Sequence, residues 1–150
     1  MSEAIKAYRG DGTSVVYEYA DGRRETWRGG ARAWRNRNPG NVVYVATNRW
    51  KGQIGFAGSF CCFSSPVWGV RAMGVILRAY GRRGMTLAGG IARYAPSVEN
   101  DTEAYVRAVV KASGVGGGRM LSGLSEAEMA LVVKAMTVHE GYEEGVVEEV

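Results

Sequence analysis

Glu140 closes an amphipathic run that opens at Ser125 and is followed at once by Gly141. At about 100° per residue, Met129, Val133, Met136 and Glu140 fall in one stripe of a helix. A carboxyl ending an apolar stripe is expected to be partly desolvated, and the helix C-terminus adds the negative end of the backbone dipole. Both effects favour the protonated form. A carboxyl that keeps its proton near neutral pH can serve as a general acid. The alternative is a frayed helix end with Glu140 turned to water. A second group of functional side chains lies between Arg35 and Asn41, where Pro39-Gly40 dictates a tight bend ringed by Asn36, Asn38 and Asn41. Amides donate and accept, which suits the acetamido and hydroxyl groups of amino sugars. The alternative is an Asx-stabilised loop that holds no ligand. Trp27, Trp34, Tyr44, Trp50 and Trp68 crowd this half of the chain, where they can stack on sugar rings or build a core.

Other reactive residues carry weaker chemistry. Cys61 and Cys62 are adjacent, a vicinal disulfide is strained, and no second cysteine pair supplies a zinc-ligand spacing. Phe60 and Phe63 flank them as in a strand, so burial of at least one cysteine is expected. His139, the one histidine, has no third group to orient it toward a cysteine. Neither a metal nor a cofactor is expected.

These groups need elements to hold them. Val15 to Trp27 predicts a β-hairpin about the Asp21-Gly22 turn. A two-residue turn there would set Glu18 opposite Glu25 at about 5 Å, which like charges disfavour. The spacing is near that of retaining glycosidase carboxylates, and we read it as a coincidence of hairpin geometry. Gly29 to Ser65 has no sustained helical period, and such a long irregular stretch is usually functional. Short strands are expected within it at 42–44 and 60–63. Helices are expected over 67–83, with Val70, Met73, Leu77 and Tyr80 inward, over 86–94, and from Asn100 or Asp101 to Ser113, with Tyr105, Val106 and Val109 inward. Ser125 with Glu128 makes a capping box for the last helix.

At 150 residues, 46% hydrophobic and 23% charged, the chain matches one ordinary globular domain. No apolar run reaches the roughly 18 residues of a membrane span, and the first residues have no secretory character. A net charge of +4, with arginines clustered at 23–37, suits polyanions in general.

Several stretches in order resemble a phage-associated family: Gly30 to Val42, Gly52 to Gly55, Phe60 to Pro66, Gly69 to Met73, Ile91 to Thr102, and the closing His139-Glu140-Gly141. Members of that family occur as virion-associated or lysis proteins and as domains of type VI secretion effectors. It is similar to lytic transglycosylases and lysozyme-like glucosaminidases, so the resemblance implies cleavage of peptidoglycan. In lysozyme-like enzymes the catalytic glutamate ends a helix that precedes the asparagine loop. Here the Glu-Gly helix end closes the chain instead, as though the fold were circularly permuted, which termini lying close in space permit. On this reading Glu140 abuts the loop 38–41 and is the catalytic acid and base. Tyr94 resembles the tyrosine that faces the glutamate in related enzymes, and in a hydrolase Glu99 or Glu25 is the candidate second carboxylate. Asn36, Asn38, Asn41, Asn100, Tyr105 and Gly141 complete the expected substrate-binding set. Capping of the next helix is the default role for Asp101.

The expected fold is therefore α+β but mainly α: a lysozyme-like catalytic domain over 30–145, an accessory N-terminal segment and hairpin over 1–29, and a loose acidic tail over 146–150. The expected partners are peptidoglycan and phage structural or secretion-delivery proteins. The expected location is the phage virion, or the periplasm after synthesis in the bacterial cytoplasm. A non-catalytic virion or baseplate component that binds the wall is the leading alternative. A nucleic-acid-binding module comes third, since no known reading motif is present.

Overall fold

The computed structural model describes residues 3–95 and 101–150. The chain forms two compact units: one runs to Ala72 and is completed by Glu140–Val150, and the other is Met73–His139.

The first unit is built on six strands: β1 (Ala4–Arg9), β2 (Val15–Tyr19), β3 (Arg24–Arg28), β4 (Gln53–Ala57), β5 (Phe60–Phe63) and β6 (Val146–Glu149). They form one sheet in the order β5-β4-β1-β2-β3-β6. Every neighbouring pair is antiparallel except β1 and β4, which run parallel. Ala4, Ala7, Val15, Tyr17, Ala57 and Cys62 make its buried cluster, with Tyr19, Trp27 and Ile54 packed on the margin. A four-residue helix, α1 (Arg32–Arg35), follows β3, and α2 (Pro66–Arg82) starts in this unit and ends in the other.

The hairpin forms where the sequence places it, but with a different register. Tyr19 N–H donates to Arg23 O, and Gly22 takes a φ of 88°, so the loop holds three residues and ends in a glycine bulge. That extra residue pairs Glu18 with Arg24 and Tyr17 with Glu25. The expected Glu18–Glu25 repulsion is replaced by an ion pair, Arg24 Nε to Glu18 Oε2 at 3.4 Å.

The expectation of a mainly α, lysozyme-like domain is overturned by this sheet; the α+β class remains. Two strands account for the difference. In β1 the register shifts between Ala4 and Lys6, so the buried residues Ala4 and Ala7 are three apart and the period-two signal is broken. β6 lies in the segment expected to be a loose tail, and all four of its residues are exposed. Its carboxylates are matched by cations on β3 and its turn, Glu148 to Arg28 at 3.0 Å and Glu149 to Arg23 at 3.7 Å. β1, β2 and β3 are interior to the strand order, with β4 and β6 on either side.

The second unit holds the rest of α2, then α3 (Leu87–Tyr94), α4 (Thr102–Ser113), a 3₁₀ turn at Leu121–Gly123, and α5 (Glu126–Glu140), whose last residue belongs to the first unit. Their ends follow the sequence signals. Thr86 accepts from Gly89 N–H, Asp101 accepts from Ala104 N–H, and Gly114 ends α4 in the left-handed region. Ser125 and Glu128 cap each other's backbone N–H at 3.1 and 3.0 Å, the reciprocal pattern of a capping box. The buried face of α2 is rotated from expectation. Val70 is 40% exposed, while Gly69, Ala72, Met73, Leu77 and Gly81 are buried. Glycines make that face because a Cβ at Gly69 would press on Pro39 and one at Gly81 on the 121–122 backbone.

Candidate active site

The site is assembled in the first unit, where the exit of β3 crosses the segment after α5. Gly30 has a φ of 62°, and a Cβ there would meet Glu143 O and Gly145 N at 2.5 Å. A Cβ on Gly145 would strike Arg28 O. The two backbones therefore pass at a distance that only glycine allows. Ala31 N–H donates to Glu143 O at 2.7 Å, and Arg35 Nη1 ties down Gly29 O and Gly30 O at 2.9 and 2.8 Å. With β3–β6 pairing beside it, this crossing pins the end of α5 to the start of α1.

Its consequence is a hydrogen bond between residues 99 apart: Asn41 Nδ2 donates to Glu140 Oε1 at 2.9 Å. Asn41 Oδ1 accepts from Arg32 Nε at 3.1 Å, and the Arg32 guanidinium lies 3.7 Å from the centre of the Phe60 ring. The cation fixes which way the amide faces, since its oxygen must meet Arg32 and its NH₂ is left for the carboxylate. Asn41 adopts a φ of 49°, which asparagine tolerates better than most residues. Glu140 is half-buried as the last residue of α5, and Gly141, at a φ of 88°, ends the helix. A carboxyl oriented through one oxygen meets the positional requirement for proton transfer.

The other loop asparagines are not placed to meet a ligand. Asn38 is fully buried; its Nδ2 donates to Val42 O and Cys61 O at 3.0 Å, and its Oδ1 accepts from Val42 N–H at 2.9 Å. It is a clamp that staples the Pro39-Gly40 bend to β5. Asn36 is 2% exposed, its Oδ1 takes the Cys62 thiol at 3.7 Å, and its Nδ2 is buried with no hydrogen-bond partner among the described residues. The expected ring of ligand-facing amides thus reduces to Asn41.

Tyr94 and Tyr105 belong to the second unit. Tyr94 is the last residue of α3. Tyr105 is 2% exposed on α4, with its ring centre 4.1 Å from that of His139, a packing arrangement. Glu99 and Asn100 lie outside the described residues. Asp101 caps α4.

Glu25 is fully engaged. It accepts from Tyr19 OH at 2.5 Å and Trp27 Nε1 at 3.3 Å, and pairs with Arg37 at 3.6 Å. Arg37, 8% exposed, lies over the Tyr17 and Trp27 rings at 3.9 and 4.5 Å and donates to Ser64 O and Tyr19 OH. In the sequence Arg37 stands in a basic cluster, and its place between two loop asparagines is the one signal of this role. Burial, then the bond to Glu25, raises the Tyr19 phenol, and burial holds Tyr17 well above the ordinary range. Both cysteines are buried and unbridged. Burial pushes the Cys61 thiol to about 11 and the Cys62 thiol to about 12, so neither is a ready nucleophile. Among the described residues there is no cluster of metal-ligating side chains, and no helix is long and apolar enough to cross a membrane.

No protein-family model matches this chain. A stretch of 98 residues is 37% identical to Protein P5 of Pseudoalteromonas phage PM2. The match covers 61% of this chain and 61% of that protein. The chain is therefore similar, over about three-fifths of each sequence, to a phage protein.

Proposed function

We propose that this chain cleaves the glycan strand of peptidoglycan, with Glu140 donating a proton to the glycosidic oxygen and then accepting one as base. The observation that carries the reading is the Arg32–Asn41–Glu140 relay, which orients one carboxyl from a chain segment that no local signal brings there. Its placement fits the residue-level argument for Glu140 and the resemblance of the loop and the Glu-Gly helix end to wall-degrading proteins. Likeness to a phage protein supports the same setting, since a phage or a delivered effector must pass the bacterial wall. In the transglycosylase version the sugar's own primary hydroxyl attacks, and one carboxyl suffices. In the hydrolase version a second carboxylate activates water or acts as nucleophile.

The test is digestion of purified peptidoglycan with mass analysis of the products. Wild-type protein should release glycan fragments, with anhydro ends identifying a transglycosylase and reducing ends a hydrolase. Glu140→Gln keeps the shape and the Asn41 contact but cannot cycle a proton, so release should fall by roughly 10²–10⁴-fold. Turnover at the wild-type rate in that variant would move the chemistry elsewhere. A second reading, a wall-binding virion component without chemistry, is supported by the likeness to a phage protein. Co-sedimentation with intact, uncleaved wall would establish it.

A further inference from the structure

A groove in the first unit is not used by the relay. It opens between β4 and the tight turn 45–48 that follows Tyr44, and holds about 250 Å³. That is below the roughly 300–1,000 Å³ of pockets for drug-sized ligands, and matches one ring rather than an extended chain. Its apolar wall is the pair Tyr44 and Phe56, stacked with ring centres 4.0 Å apart and planes at 11°. Phe56 is 46% exposed, although an aromatic ring of this size is ordinarily buried for its contribution to the core. Its polar side is Gln53, with Asn48 and Arg49 at the rim. Gln53 is 8% exposed and spends its Oε1 on Trp50 N–H at 3.0 Å. That contact fixes the amide, so that its Nε2 is the end that faces other partners as a donor.

We propose that this groove seats one N-acetylated hexose ring, its apolar face on Phe56 and its acetamido carbonyl on Gln53 Nε2. An exposed ring face, an amide donor and polar side chains beside them are what such a ring requires. It presents axial C–H groups on one face and a hydrogen-bonding acetamide at its edge. Arg49 suits a carboxylate on a neighbouring substituent of the strand. The identity of the sugar rests on the glycan-strand reading above, because that reading names the polymer. The groove would act as a holding subsite for that polymer, separate from the groups that carry the proton.

The probe is the uncharged N-acetylglucosamine tetramer, titrated by calorimetry into full-length Glu140→Gln protein so that no turnover intervenes. Phe56→Leu keeps apolar volume and removes the aromatic face. Gln53→Glu keeps the acceptor for Trp50 N–H and replaces the donor. Each should weaken binding about tenfold, with circular dichroism unchanged. Unaltered affinity in the folded Phe56→Leu protein, or no binding of the tetramer to the parent, overturns the subsite. The two readings fail separately. Tetramer affinity that depends on Phe56 in a protein with no wall-cleaving activity would keep the subsite and remove the glycosidase. Cleavage that depends on Glu140, with affinity indifferent to Phe56 and Gln53, would do the reverse.

Discussion

Asn38 and Asn41 carry the same side chain three positions apart, and their environments give them different work. Asn38 bonds three buried backbone groups; Asn38→Ala strands Val42 N–H and removes a bond from Cys61 O and from Val42 O, which keeps Cys61 N–H, and an unsatisfied buried group costs about 1–3 kcal/mol. We expect that variant to lose on the order of 3 kcal/mol in denaturant unfolding, with the loop and β5 separating first in hydrogen exchange. Asn41 is best tested as Asn41→Gly, because alanine at a φ of 49° would add backbone strain of its own. Asn41→Gly should fold with nearly unchanged melting temperature, yet lose the contact that orients Glu140 and show roughly tenfold slower wall cleavage. Full activity in Asn41→Gly would show the relay to be ornamental. The cysteines make a third residue-scale test. With thiols raised to about 11 and 12 by burial, both should resist a thiol reagent at pH 8 in the native protein and react at once in denaturant.

At the scale of elements, two devices hold strands and helices to their neighbours. The first is the Gly30–Gly145 crossing. Gly145→Ala forces a Cβ into the Arg28 carbonyl and should cost about 1–3 kcal/mol, spreading the C-terminal segment from α1. Because that crossing sets Glu140 beside Asn41, activity should fall with it, unlike a stability loss placed in the second unit. The second device starts α5. Glu128 is held at about 2, against an ordinary 4.5, first by the bond from Arg119 and then by the backbone N–H of Ser125. A carboxyl depressed on folding stabilises the native state above its unfolded value, and the contribution is lost as pH falls from about 4.5 through about 2. Melting temperatures measured across that window should drop less steeply in Glu128→Gln than in the wild type, and the curves should run parallel above pH 6. Equal slopes inside the window would show that the capping box carries no linked proton.

At the scale of the whole molecule, the compact units are divided by contacts rather than by sequence order, since the first takes strands from both ends of the described chain. A protein begun at Gly30 would lack β1, β2 and β3, leaving β4–β5 and β6 without the strands that join them. We expect such a truncation to show no cooperative unfolding transition and no dispersed amide spectrum. A folded, active truncation would instead show an accessory hairpin beside a self-sufficient catalytic domain.

Local signals were sufficient wherever a few neighbouring residues decide the structure. The Asp21-Gly22 hairpin turn, the cap at Asp101, the capping box at Ser125, the end of α4 at Ser113 and the strand around Cys61-Cys62 all appear where the sequence places them, because their hydrogen bonds close within a few positions. The stripe of α5 and the terminal position of Glu140 were legible for the same reason. Tertiary structure alone decided the rest. Whether the tail becomes a strand depends on Arg23 and Arg28, more than 100 residues away in sequence, and the bulge in β1 conceals its period from any window reading. Which asparagine clamps the loop and which meets Glu140 is equally invisible to composition, since Asn38 and Asn41 differ only in what the rest of the chain brings beside them. Burial and long-range pairing are properties of the packed chain, and no residue type encodes them in isolation.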